Sequence, residues 1–291
     1  MGLCKNAEGQ RKLWHGLVIL LASATLAGCT TADALNVQAP TVSFPTPAKY
    51  AAIIVDANDG YALYSANSDD RRYPASLTKM MTLYLLFQAM ATGRVQPTTP
   101  IPVSAHAAAQ PPTKIGFRPG EAIDVDSAIK AIVTRSANDV AVAIGEYLGG
   151  TESHFAAIMT AKAHALGMNS THFENASGLP DPDQWTTARD MAVLGVALRR
   201  DFPQYYHYFS VEEFTFRGRV IRGHNKVLDR VPGADGIKTG YTRASGYNIV
   251  SSVKENGRSL VAVVMGENSA RTRNEHVADL LQAYMPQASV K

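Results

Sequence analysis

Cysteine is almost missing: the 291 residues contain two, Cys4 and Cys29. That excludes a disulfide framework, a zinc ribbon and a C-x-x-C redox pair, so the core must be held by packing alone. With 46% hydrophobic and 18% charged residues, the chain has the material for one large or two small globular domains and is not intrinsically disordered. Neither charge is in excess, at 28 Lys and Arg against 25 Asp and Glu, which leaves no basic footprint for nucleic acid. The histidines, His15, His106, His154, His164, His172, His207, His224 and His276, show no H-E-x-x-H and no paired ligand spacing. Neither a metal nor a cofactor is therefore expected. No G-x-S-x-G occurs, which removes the nucleophile elbow of a Ser-His-Asp hydrolase. No internal repeat with a period of roughly 20–50 residues is visible.

What is present begins with a leader. Lys5, Arg11 and Lys12 precede an apolar run at 16–27, and a run of about twelve residues suits a secretory signal but is too short for a stable membrane span. The run closes Leu26-Ala27-Gly28-Cys29, which resembles the bacterial lipobox. By that resemblance residues 1–28 are a lipoprotein signal peptide and Cys29 becomes the lipidated first residue, anchoring the protein to the extracytoplasmic, periplasmic face of a membrane. Thr30 in place of aspartate points, by the same resemblance, to the outer membrane. Cleavage after Ala22-Ser23-Ala24 is the alternative and would release a soluble protein. Residues 29–48, with Pro40, Pro45 and Pro47, read as an extended tether.

The folded unit is expected at 49–285, with a tail at 286–291. Residues 51–56 and 61–64 flank an Asn58-Asp59-Gly60 turn, which is a hairpin signal. From Ser76 to Met90 the pattern is apolar nearly all round and ends at Gly93, describing a buried helix. Further helices are expected at 126–134, 138–148, 153–166 and 187–199. Strands then follow at 213–222, 236–242, 247–253 and 260–265, the last two joined through Asn256-Gly257, with a closing helix at 272–284. The order predicts an α+β fold, an antiparallel sheet flanked by helices with a mostly helical subdomain.

Three short motifs occur in sequence: Ser76-Leu77-Thr78-Lys79, Ser136-Ala137-Asn138 and Lys238-Thr239-Gly240. The first two have second copies, Ser127-Ala128-Ile129-Lys130 and Ser65-Ala66-Asn67, and context chooses between them. Ser127 follows Asp126 at the start of an amphipathic helix, where a first-turn serine and an exposed lysine suffice. Ser76 opens the buried helix, so Ser76 and Lys79 share one face in a dry setting. Desolvation disfavours an ammonium, and a neutral Lys79 amine could take the Ser76 hydroxyl proton. In the third motif strand alternation puts Lys238 and Gly240 on one face, a cation beside a position with no side chain, where an extended anionic substrate could lie.

With these residues in view, the chain resembles the serine D-alanyl-D-alanine carboxypeptidases, the low-molecular-mass penicillin-binding proteins of the β-lactamase/transpeptidase-like superfamily. The matching stretches are Arg72-Tyr73-Pro74-Ala75-Ser76-Leu77-Thr78-Lys79-Met80-Met81-Thr82, Ser136-Ala137-Asn138-Asp139, Asn175-Ala176-Ser177-Gly178-Leu179-Pro180 and residues 235–242. The resemblance implies that Ser76 is the acylated nucleophile, Lys79 its general base and Ser136 a proton relay to the leaving amine. It implies that Asn138 holds the substrate amide, that Lys238 and Thr239 hold the terminal carboxylate, and that the Ser76 and Tyr241 N–H groups form an oxyanion hole beside Gly240. Strict alternation points Thr239 away, so its role rests on the family. The implied partners are peptidoglycan stem peptides, with β-lactams as inhibitors acylating the same serine. A loop at 114–120, with Phe117 and Arg118, is expected to border the cleft, and His224-Asn225 to support it. The C-terminal β-domain and anchoring helix common in the family have no counterpart in the residues after Thr242, and lipid on Cys29 could replace that anchor.

Two rivals remain at this point. A class A β-lactamase shares S-x-x-K and K-T-G, but its S-D-N is S-A-N here, and Glu174-Asn175 lacks the spacing of the deacylating glutamate. An inactive lipid-anchored peptidoglycan-binding protein would have little reason to keep all three motifs. Arg189 and Asp190 read as first-turn helix charges. Whether the scissile bond ends one stem peptide or crosslinks two, the D,D-endopeptidase alternative, is left open, because both present a D-alanyl carbonyl.

Overall fold

The computed structural model describes residues 48–291; the expected leader at 1–28, Cys29 and the expected tether as far as residue 47 lie outside the described residues. In chain order the strands are β1 Ala51–Asp56, β2 Ala62–Ala66, β3 Pro100–Pro102, β4 Ala122–Asp124, β5 Glu213–Phe216, β6 Arg219–Arg222, β7 Ala234–Thr242, β8 Gly246–Glu255 and β9 Arg258–Glu267. The helices are α1 Lys79–Ala91, α2 Ala105–Ala109, α3 Val125–Arg135, α4 Asn138–Gly149, α5 Glu152–Ala165, α6 Ala188–Asp201 and α7 Ala270–Tyr284. One antiparallel sheet runs β2-β1-β9-β8-β7, so the K-T-G strand β7 is an edge.

Both faces of this sheet are covered, which is why its central strands read as nearly continuous apolar runs. Along β1, Ile53 and Val55 join the core shared with α1, α3, α4 and α6, while Ala52 and Ile54 face the smaller core built with Val277, Leu280 and Leu281 of α7. Strand β9 alternates in the same way, Val261 and Val263 on one side, Ala262 and Val264 on the other. Gly195 lets α6 settle close to the sheet; a Cβ there would lie 2.9 Å from Val261 and 3.2 Å from Ile237. Side chains cap the starts of α2, α3, α5, α6 and α7, for example Asp124 accepting from the Ser127 N–H at 2.8 Å and Thr187 from the Asp190 N–H at 3.0 Å, whereas α1 and α4 start without one. Each such cap is worth about 1 kcal/mol.

The α+β expectation holds, with three differences. The buried helix begins at Lys79, not Ser76: residues Ala75–Thr78 form a 3-10 turn entered through Ala75 at φ +49°. Residues at i and i+3 eclipse in a 3-10 turn, so Ser76 still meets Lys79. The single strand expected at 213–222 is a hairpin outside the main sheet, turning at Arg217 and Gly218, both with positive φ; arginine is an unusual first residue for such a turn. The ribbon β3–β4 and the short α2 were not anticipated, since three-residue strands carry no periodicity. The final residues are tied down, with the Ser289 N–H donating to Asp56 at 2.5 Å and the Lys291 N–H to the Gly257 carbonyl at 3.0 Å.

Candidate active site

The three motifs converge. Ser76 stands half-buried on the 3-10 turn, and the fully buried Lys79 brings its Nζ to 3.2 Å from Ser76 Oγ. The same Nζ contacts Asn138 Oδ1 at 2.7 Å and the Ser177 carbonyl oxygen. Asn138 is held in this orientation because its Nδ2 donates to the Pro111 carbonyl at 2.5 Å. Burial first, and then the nearby Lys238 charge, pull the Lys79 amine well below its usual range, while Asp139 opposes them. A neutral amine has two hydrogens and one lone pair. The two hydrogens go to the acceptors Asn138 and Ser177, which leaves the lone pair for the Ser76 hydroxyl.

Ser136 caps α3 in the left-handed region at φ +60°, and its buried hydroxyl has no partner among the described residues. A purely structural serine left so would cost about 1–3 kcal/mol, which favours a hydroxyl kept for something that arrives. Asp139 accepts from the Ile115 and Gly116 N–H groups at 3.1 and 2.9 Å, and the Asn138 N–H donates to Thr113 at 2.8 Å. The start of the 114–120 loop is thereby fastened to the S-A-N segment.

Strand β7 closes the other side. Gly240 lets the strand come close to the nucleophile's turn: a Cβ would lie 3.1 Å from Ser76 N and 3.3 Å from Leu77 N, a tight approach. Tyr241 is exposed, its ring stacked on Tyr247 with centroids 4.1 Å apart. Lys238 is buried, its Nζ donating to the Thr239 carbonyl at 2.9 Å, and burial followed by the Arg273 charge pulls its pKa to about 7. Thr239 is buried beside it. Beyond Thr242 lies a small pocket of about 220 Å³ lined by Tyr73, Pro74, Gly178 and Leu179.

Sequence reasoning missed two contributors, Arg273 and Asn248, and marked a third, Gly178, without giving it a role. Arg273, in the first turn of α7, is buried, and its recorded bonds are to neutral oxygens, Asn274 Oδ1 at 2.7 Å and the Asn248 carbonyl at 3.3 Å. With Lys238 it makes a pair of buried cations lacking a carboxylate partner among the described residues, an environment that favours an incoming anion. Asn248 Nδ2 donates to the carbonyls of Tyr73 and Pro74 at 3.0 and 3.2 Å, pinning the turn that carries Ser76. Gly178 packs against Ala75, and a Cβ there would fall 1.8 Å from the Ala75 oxygen. No local pattern marks Arg273 or Asn248, because their partners are distant in the chain; the Asn-Ala-Ser-Gly motif did mark the Gly178 loop.

The rejected motif copies are ordinary structure. Lys130 pairs with Asp126 at 2.6 Å, and Ser65 bonds Ser68 at 2.8 Å. Glu174 pairs with His172 at 2.7 Å, and Asp190 binds Thr171 Oγ1 at 2.7 Å. Asn225 Oδ1 accepts the Val227 N–H at 3.2 Å.

A family profile described as D-alanyl-D-alanine carboxypeptidase matches residues 38–269. The D-alanyl-D-alanine carboxypeptidase DacA of Escherichia coli K12 is 37% identical over 257 residues, 86% of this chain. The chain spans 64% of that relative's length. The crystal structure of the carboxypeptidase DacD from Francisella tularensis superposes with a TM-score of 0.81 at 29% identity, covering 86% of this chain and 72% of that one. That of penicillin binding protein 5 from Haemophilus influenzae gives 0.78 at 33% identity, covering 83% and 72%. With the profile covering most of the chain and the fold shared with these structures, the chain belongs to the D-alanyl-D-alanine carboxypeptidase family.

Proposed function

We propose that this protein is a serine D,D-carboxypeptidase that removes the terminal D-alanine from peptidoglycan stem peptides. The observation that carries this reading is the buried Lys79 amine, with two acceptors for its hydrogens and Ser76 Oγ at 3.2 Å. Ser76 attacks the carbonyl between the two D-alanines and Lys79 takes its proton. The oxyanion forms against the Ser76 and Tyr241 N–H groups, each donor of this kind contributing about 3–4 kcal/mol to the transition state. Lys238, Thr239 and Arg273 receive the terminal carboxylate, and Ser136 relays a proton to the leaving amine. Asn138 positions Lys79, and its second Nδ2 hydrogen is available to a substrate carbonyl. Water then hydrolyses the acyl-enzyme, and a β-lactam acylates Ser76 by the same route. The leader pattern supports a periplasmic lipoprotein held on a membrane by lipid on Cys29, with 29–48 as its tether.

The test is an intact-mass time course of the full chain with benzylpenicillin. A penicilloyl adduct is expected on the wild type and none on Ser76→Ala; drug consumed without a lasting adduct would make the protein a β-lactamase, and no reaction at all would end the enzymatic reading.

A pH profile probes the lysine pair. Acylation is expected to rise with pH as Lys79 loses its proton, levelling off well below the 10.5 of a free lysine. Because the Lys238 charge pushes the Lys79 pKa down, Lys238→Gln should move this rising limb to higher pH. A limb that stays in place or moves down would mean that another group titrates.

A further inference from the structure

Strand β7 carries Lys238, Thr239 and Gly240 on an edge of the sheet, so only β8 pairs with it. The recorded side-chain hydrogen bond of Lys238 goes to the carbonyl of its own neighbour Thr239. Where the ammonium stands is therefore set by where β7 stands. That strand is not regular. Ala234 pairs with Val253 and Gly236 with Ser252, so Asp235 is an extra residue, a β-bulge three positions before Lys238. Successive side chains of a strand point to opposite faces, and a slip of one residue exchanges them. The bulge thus fixes what Lys238 faces, a use to which bulges beside active sites are commonly put.

The extra residue is held by a cluster drawn from three other elements. Asp235 Oδ1 accepts from Arg199 Nη2 at 2.5 Å and from Ser252 Oγ at 2.7 Å, and Ser252 Oγ accepts in turn from the Tyr206 hydroxyl at 2.8 Å. The Arg199 guanidinium lies over the Tyr206 ring, 4.1 Å from its centroid. Arg199 stands in the last turn of α6, Tyr206 opens the 3-10 turn Tyr206–Ser210, and Ser252 belongs to β8. The next residue adds a close fit, since a Cβ on Gly236 would lie 2.9 Å from Phe209 Cβ and 3.2 Å from Ser252 Oγ. Tyr206 and Ser252 are buried, and the Arg199 and Asp235 side chains are only 17% and 30% exposed. Drawing an ion pair this far out of water is costly, and apolar residues of the same volume often stabilise a fold as well or better. What an apolar cluster could not supply is a fixed direction for the bulged residue, with Asp235 Oδ1 bonded from two sides.

We propose that Asp235 is a positioning residue for the reaction: with Arg199, Ser252 and Tyr206 it locks the β7 bulge, and the locked bulge holds the Lys238 ammonium where the terminal carboxylate of the substrate arrives. This rests on the reading above, in which Lys238 receives that carboxylate. Asp235 acts through the strand and not on the substrate, so it governs recognition of the charge and leaves the chemistry at Ser76 to the groups already described.

The experiment measures kcat/KM of the full chain on a stem pentapeptide ending in D-alanyl-D-alanine and on the same peptide with its terminal carboxylate converted to a carboxamide. The wild type is expected to prefer the acid. In Asp235→Ala the acid-to-amide ratio should fall about tenfold, through a higher KM for the acid, as befits a displaced charge-assisted hydrogen bond. Asp235→Asn keeps an oxygen able to accept both bonds and should restore the ratio to within about threefold of wild type. Because the alanine variant leaves Arg199 without its carboxylate and could fail to fold, Ser252→Ala is measured beside it; it deletes one hydroxyl of the cluster and should lower the ratio about threefold. Rates on acid and amide that fall in equal proportion, in any folded variant, would make the cluster merely structural and overturn the proposal. A wild type indifferent to the carboxylate would overturn the assignment of Lys238 itself, and this proposal with it.

Discussion

Lys79→Met is expected to slow acylation of Ser76 by benzylpenicillin roughly a thousandfold, within the range for loss of a positioned proton acceptor. Methionine matches lysine closely in length and suits a fully buried position, so the chain should still fold. The removed amine nevertheless leaves Asn138 Oδ1 and the Ser177 carbonyl without their partner. Each orphaned acceptor costs about 1–3 kcal/mol, so the thermal midpoint should fall even as circular dichroism stays native-like. Stopped-flow acylation beside a thermal melt separates the two effects. A rate within tenfold of wild type, in a folded variant, would mean that the proton leaves Ser76 by another path.

Gly178→Ala is expected to be nearly as severe for activity and worse for stability. The substituted Cβ would lie 1.8 Å from the Ala75 oxygen and 2.4 Å from its carbon, both backbone atoms, at φ +80°. Something must move, and either choice damages the site: Ala75 precedes the nucleophile, and Ser177 carries the carbonyl that holds Lys79. A displacement of about 1 Å at a reacting group can cost a hundredfold, and a fall of at least that size in acylation is expected. Gly167→Ala supplies the control. Gly167 has φ +91° with nothing within 4 Å of its built Cβ, so alanine there meets only the backbone penalty of about 1–2 kcal/mol. If the two variants melt and acylate alike, the contact between Gly178 and Ala75 is not what fixes the turn.

Much of the site was legible because its groups sit in short motifs whose chemistry needs few residues. Ser76 and Lys79 are three apart, and that spacing brings them together in an α-helix or a 3-10 turn, so the misplaced helix start did not matter. Lys238 and Gly240 shared a face by strand alternation alone. Arg273 was not legible, since an arginine in the first turn of a polar-looking helix reads as solvated until β8 is known to cover it. The hairpin at 213–222 was blurred for a related reason: Arg217 and Gly218 lack the usual hairpin dipeptide, and the strands on either side merge into one run.

The turn that carries Ser76 is gripped from far along the chain. Lys79 reaches Asn138 across 59 positions and Ser177 across 98, while Asn248 reaches Pro74 across 174. A chain emerging from synthesis therefore carries an unready serine through most of its length, because the grip of Asn248 on the turn, and β7 alongside, come only with its last third. Loop closure of that span has to precede reactivity, so the chain should meet its substrate with the serine armed only once β8 is docked, a delay set by topology and requiring no inhibitor.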